Sequence, residues 1–169
     1  MDMSDILDII EILERLIAEH ERMLKLGNHK KEVLITGKID ELARVVQFES
    51  RCISTIQSLE LERERQISLY LMQRGIRKET CYLSDLIELE SNSDIKLELA
   101  RCQMQLGNLV KELQELNHLN QRLIEQSLEF VNMSLEEMTA PPDAPTYQNT
   151  RKNIHNPYKA TRGYFDSKA

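Results

Sequence analysis

The sequence predicts an all-α protein: an elongated antiparallel bundle of three long helices plus one short helix, with a disordered C-terminal tail. Three observations carry that expectation. All four prolines (Pro141, Pro142, Pro145, Pro157) lie beyond residue 140, so nothing earlier removes a helical N–H or clashes with the preceding turn. The 169 residues include no Trp, 5% aromatic and 30% charged residues, the composition of long, well-solvated helices. Apolar residues also recur every three or four positions, the period of one helical face. The expected organisation is a helical body over 1–138 and a Pro-containing flexible tail over 139–169.

The first helix starts near Ser4, a suitable cap, with Asp5 and Asp8 opposing the positive helix end. Its seam is Ile6, Ile10, Leu13, Ile17, Leu24 and Leu34. His20, Gly27 and Lys31 interrupt that seam, so its second half should pack less tightly or meet a smaller neighbour. Gly37 supplies the left-handed residue that commonly ends a helix. The link TGKIDEL is short enough only for a tight reversal, which makes the first two helices antiparallel neighbours.

The second helix runs from near Ile39 through Leu42, Val46, Ile53, Ile56, Ile67 and Tyr70, and stops at Arg74-Gly75. TCYLSDLIELE predicts a short helix of about ten residues capped by Thr80. The polar SNSD at 91–94 ends that helix and caps the next.

The fourth helix is the most regular, with Ile95, Leu99, Cys102, Leu106, Leu109, Leu113, Leu116, Asn120, Leu123, Ser127 and Phe130 in one heptad-like seam. Val110, Asn117, Ile124, Val131 and Met138 form a second stripe beside it. From Ser93 to Met138 this helix is about 69 Å long, against about 50 and 55 Å for the first two. One end must overhang. If it runs parallel to the first helix, the overhang is C-terminal and uncovers Leu123, Ile124, Leu128, Val131 and Leu135. Exposed apolar surface of that extent marks an interaction site, to which Met133 and Met138 add adaptable thioethers.

Charge and chemistry narrow the function classes. From Thr139 onward Arg151, Lys152, Lys159, Arg162 and Lys168 stand against Asp143 and Asp166, a formal +3 that leaves −9 of the net −6 on the body. An acidic body repels phosphate, and the basic residues of the tail are too dispersed for a nucleic-acid footprint. The acidic start MDMSDILDII does not read as a signal peptide, and no apolar run reaches the roughly 20 residues a bilayer requires. A cytoplasmic protein without membrane insertion is expected.

Cys52, Cys81 and Cys102 occur singly, and the four histidines lack partners at ligand spacing, so no disulfide framework, metal site or cofactor is expected. ELERER at 60–65 reads as a solvated helix face with local ion pairs. No catalytic motif appears, and a thin helical array seldom encloses a water-excluding pocket. The protein is expected not to be an enzyme.

NHLNQRLIEQSLEF at 117–130 places Asn117, Asn120 and Ser127 where an apolar stripe should continue. On one reading the asparagines sit in a packed seam and fix its register. On the other, their amides stay hydrated until a partner helix arrives, and specificity comes from the cost of leaving them unpaired.

The amphipathic first helix, the GKIDEL reversal, the SLELER element and the NHLNQRLIEQSLEFVN pattern together resemble the FlgN family of flagellar export chaperones. The terminal YFDSKA is similar to the tail of Gram-positive members. The resemblance implies a cytosolic type III export chaperone that binds the C-terminal helical segments of the hook–filament junction proteins FlgK and FlgL. It would prevent their premature assembly and deliver them to the export gate. It also implies partner binding through a face comprising Leu116, Asn117, Asn120, Leu123, Ile124, Ser127, Leu128, Val131 and Leu135. A tail tyrosine, Tyr147, Tyr158 or Tyr164, would dock at the gate. A monomer or weak homo-oligomer is expected. The alternatives are a structural coiled-coil oligomerisation protein, whose exposed seam pairs with itself, and an adaptor that works through its tail.

Overall fold

The computed structural model describes residues 3–140. It contains four helices among them, α1 (Met3–Thr36), α2 (Ile39–Gln73), α3 (Leu83–Leu89) and α4 (Ser93–Thr139), and no strand. The tail expectations, including Tyr147, Tyr158 and Tyr164, lie outside the described residues.

Both glycine stops form as the sequence predicts. Gly37 (φ 70°) and Gly75 (φ 69°) take the left-handed conformation that an L side chain disfavours. Lys38 N–H then reaches back to Val33 O at 3.3 Å, and Ile76 N–H to Leu71 O at 3.0 Å. Each bond satisfies a carbonyl that the helix end would otherwise orphan. Leu71 and Ile76 also pack into the same core. At the start of α4, Asn92 Oδ1 accepts from the N–H groups of Asp94 at 2.9 Å and Ile95 at 3.4 Å, the side-chain cap expected from SNSD.

Two ends differ from expectation. α1 is already helical at Met3, so Ser4 lies inside it rather than capping it. α3 is seven residues long and begins at Leu83, with Tyr82 instead of Thr80 at its N-cap. Asp85 explains the shift: its Oδ2 accepts from Tyr82 N–H at 2.8 Å while Lys78 Nζ pairs with Oδ1 at 2.8 Å. The carboxylate thereby closes the first turn from inside the helix.

α1 is the central element, packed against both α2 and α4. Arg15 meets Glu62, Glu19 meets Cys52 and Lys30 meets Glu49, so α1 and α2 are antiparallel. Glu14 meets Arg101 and Gly27 meets Asn120, so α1 and α4 are parallel. Two neighbours explain why α1 buries a band wider than the single seam predicted. Ile9, Ile12, Leu16 and Met23 are interior along with Ile6, Ile10, Leu13 and Ile17. α2 meets only one long neighbour and buries Val45, Cys52, Ile56 and Leu59, leaving the expected core residue Val46 exposed. The true seam lies one position away, on the Val45–Cys52–Leu59 heptad.

The core changes character along α1. From Ile6 to Ile17 it is apolar and closed by Leu83 and Leu86 of α3 and Ile95 and Leu99 of α4. From His20 onward it turns polar: buried His20 bonds through Nδ1 to Leu16 O at 2.7 Å, and the partly buried Lys30–Glu49 pair spans α1 and α2 at 2.9 Å. Cys52 is fully enclosed, and its thiol lies 3.2 Å from Glu19 Oε2. Burial, with the Glu19 carboxylate beside it, pushes that thiol up to about 12. Burial likewise raises the Cys81 and Cys102 thiols. ELERER carries local pairing, with Arg63 on Glu60 at 2.7 Å and Glu62 reaching Arg15 at 3.5 Å.

Candidate partner-binding surface

The site is built by a difference in length between parallel helices. α4 approaches α1 closely at Gly27, where an added Cβ would lie 2.7 Å from Leu116 Cδ2. One turn later Asn120 Nδ2 donates to Gly27 O at 2.9 Å. These contacts set the register of the two helices. Counting on from Gly27, α1 ends nine residues later at Thr36, a level that α4 passes near Glu129. The remaining ten residues of α4, Phe130 to Thr139, project about 15 Å beyond their neighbour.

The side of α4 that faces α1 does not end there. Leu113, Leu116, Asn120, Ile124, Leu128, Val131, Leu135 and Met138 follow one another at helical spacing. The first three are buried, Ile124 is half-buried, and Leu128, Val131, Leu135 and Met138 are 57%, 50%, 54% and 84% exposed. A core-type stripe therefore continues into solvent. Phe130 and Met133 add exposed apolar area on another side of α4. Isolated exposed apolar residues are ordinary, but a stripe in core register is not.

The residues singled out from the sequence divide into three groups. Leu116 and Asn120 are buried against α1. The expectation of a hydrated Asn120 amide is therefore corrected: its Nδ2 is bound to Gly27 and its Oδ1 is buried without a partner. Gly27 has no side chain, and Leu116 occupies the space one would take. Asn117 and Ser127 are exposed, and Ser127 Oγ donates to Leu123 O at 2.9 Å within its own helix. Leu123 and Ile124 are half-buried, and Leu128, Val131 and Leu135 are open. Of the two asparagines, Asn117 is the exposed one.

Sequence reasoning missed the other side of this end. Ile35 and Ile39 flank the reversal and are 66% and 78% exposed, with Val46 and Phe48 exposed on the next turns of α2. The signal was present in ITGKI, where two isoleucines bracket a glycine turn and neither fits the helix seams. Arg51 lies over the Phe48 ring at 5.8 Å, which covers one of these apolar faces with a cation.

At the opposite end, Glu90 is buried, yet its carboxylate is fully engaged. It accepts from Tyr70 Oη at 3.1 Å and from Ser91 N–H at 2.9 Å and Asn92 N–H at 3.0 Å, with Arg74 at 3.9 Å. Burial opposes its charge, but these donors prevail and hold its carboxyl below the usual range. Burial and the neighbouring carboxylate push Tyr70 up to about 12, against the pull of Arg74. This cluster ties the end of α2 to the α3–α4 link. A cleft of ≈ 880 Å³ nearby is lined by Ser68, Leu71, Met72, Gly75, Ile76, Arg77, Lys78 and Glu79. Those side chains contain no nucleophile with a base beside it.

An overhanging α4 with an exposed apolar stripe suits a protein that holds another protein's helix. Comparison with known families decides which kind: the FlgN protein family matches residues 1–153. The chain belongs to the FlgN family. It is also similar to the uncharacterized protein YvyG of Bacillus subtilis (strain 168), at 30% identity over 161 residues, covering 95% of this chain and 97% of that protein. No solved structure matches the chain. FlgN membership implies a flagellar export chaperone role, with protein partners in flagellar export. No helix among the described residues is long and apolar enough to cross a membrane.

Proposed function

We propose that this FlgN protein binds the C-terminal helical segments of FlgK and FlgL in the cytoplasm, keeps them unassembled and delivers them to the export gate. The observation that supports this reading is the core-register stripe that starts at half-buried Ile124 and runs through Leu128, Val131, Leu135 and Met138, the last four exposed. An amphipathic helix laid along it would replace the missing neighbour and bury its own apolar face. Leu123 and Ile124 form the inner margin of the surface, with Asn117 and Ser127 at its edges. Leu116 and Asn120 hold α4 to α1 beneath it.

Release matters as much as capture. A stripe flanked by Glu125, Glu129, Glu136 and Glu137 gives a mixed interface that water can re-enter, which suits delivery better than a dry one. Tyr147, Tyr158 and Tyr164 are the candidates for docking at the export gate.

Calorimetric titration with C-terminal peptides of FlgK and FlgL tests the reading, with an unrelated amphipathic helix as control. Saturable binding to the junction peptides alone is expected. Equal binding to the control, or no binding, would remove the assignment. The same stripe also fits the coiled-coil alternative, in which a second copy covers it. Sedimentation resolves the two: a stable dimer that persists in the presence of junction peptides would favour self-association.

A further inference from the structure

Apolar contact alone would admit any amphipathic helix to the α4 stripe. We infer, resting on the assignment of this surface to partner helices, that the helix it takes carries lysine or arginine along one flank and uncharged residues along the other. Glu125, Glu129 and Glu136 select it. The two flanks of the stripe differ in kind. At about 100° per residue, these three glutamates lie about 100–140° round α4 from the line through Ile124, Leu128, Val131 and Leu135. All three are exposed. Leu123, Ser127, Phe130 and Ser134 lie about 60–120° round on the opposite side. There the Ser127 and Ser134 hydroxyls donate to Leu123 O and Phe130 O, each at 2.9 Å. That flank is neutral, and its donors are already engaged.

The charge on the acidic flank is unbalanced. Where helices pack against one another, cations answer carboxylates across the seam: Lys30 meets Glu49 at 2.9 Å, Arg15 meets Glu62 at 3.5 Å and Arg101 meets Glu14 at 3.0 Å. From Leu123 to Ala140, α4 carries Glu125, Glu129, Glu136 and Glu137 with no lysine or arginine, a formal −4. Among the described residues no cation pairs with any of the four. Two local effects make that charge unfavourable in the free helix. Glu125 and Glu129 repel at i, i+4 spacing. Glu136 and Glu137 lie in the last turn, which has no basic residue and carries the negative helix end. Cations on an arriving helix relieve both. A second copy of α4 would instead set four glutamates against four, which opposes self-pairing on this face. The acidic flank therefore steers basic-flanked helices to the stripe and turns acidic ones away, while the stripe supplies the holding contact.

Titration of the full chain with twin designed helical peptides tests this directly. The twins share one leucine stripe and differ only along one flank, which is lysine in one and glutamine in the other. At low salt the lysine peptide should bind at least about fivefold tighter, mainly through faster association, and the advantage should vanish at about 0.5 M salt. The triple variant Glu125→Gln/Glu129→Gln/Glu136→Gln leaves the other acidic residues of the body in place and should bind the twins equally. Leu128→Asp distinguishes docking from adhesion to an acidic surface: it adds negative charge, yet should weaken binding of the lysine peptide at least about tenfold. Equal binding of the twins by the unaltered protein, no binding of the lysine peptide, a lysine preference that survives in the triple variant, or tighter binding by Leu128→Asp would each overturn the inference. The FlgK and FlgL peptides separate it from the reading beneath. If they bind and the twins are not distinguished, the charge selection alone falls. If the lysine peptide is selected and they do not bind, their assignment alone falls.

Discussion

The two ends of this bundle use the same kind of stripe and reach opposite outcomes. At one end Leu99 is fully buried in the cluster that also holds Leu13, Leu16 and Leu86, and a charged cluster around Glu90 closes the link to α2. At the other, Leu128 and Leu135 stand in the continuation of that seam and are more than half exposed. The residue types do not differ; what differs is whether a neighbour runs alongside. Apolar periodicity marks a face that can be buried, and the length of the adjacent helix determines whether the same chain buries it.

Substitutions can break or sharpen that comparison, and four of them span the range of effects on stability. Leu99→Ala leaves a cavity in the closed end and should cost about 3 kcal/mol, measured as a lower urea midpoint with unchanged slope. An effect below about 1 kcal/mol would show that this end is not the close-packed one.

Glu90→Ala comes next, at about 2 kcal/mol, because the Tyr70 hydroxyl and two backbone N–H groups lose a buried acceptor. Its pH dependence has a definite sign. The carboxyl is depressed from its ordinary 4.5, so the stabilisation is complete above that value and is lost as pH falls through the folded-state pKa. Acid titration of thermal stability should show a steeper fall below pH 4.5 in the unaltered protein than in Glu90→Gln.

Asn120→Leu lies at the boundary between the two regions. Gly27 O sits in the interior of α1 and does not depend on Asn120 for a partner, whereas Asn120 Oδ1 is buried without one. Replacing the amide with leucine should therefore be neutral or stabilising by about 1 kcal/mol. A loss of more than about 1 kcal/mol would mean that the amide is a structural necessity rather than a register marker. Leu128→Asp should leave stability within about 0.5 kcal/mol, since the site is already solvated. It should also reduce affinity for junction peptides at least tenfold. Global unfolding by circular dichroism would return this leucine to the core.

Much of the candidate site was legible because it follows from arithmetic on local signals. Helix lengths read from Gly37, Gly75 and SNSD require an overhang, which the structure places at Phe130 to Thr139 and which contains Val131 and Leu135, with Leu128 exposed just before it and Ile124 half-buried. Ile35 and Ile39 were legible only in part: ITGKI sets two isoleucines outside the helix seams, but their exposure depends on what does or does not pack over the turn. Nor was Glu90, whose burial depends on Tyr70 and Arg74 arriving from a different helix.

The sequence by itself determined the all-helical class, the two glycine stops, the antiparallel reversal and the division between acidic body and basic tail. These depend on backbone sterics, periodicity and composition, all local quantities. Only the tertiary structure decided that α1 is the shared neighbour, that Val45 rather than Val46 faces it, and that Asn120 points inward. The physical reason is register. Where Gly27 lets Leu116 come close, α4 is held at one height against α1, and that height sets which of its repeated apolar positions are interior and which remain open to another protein.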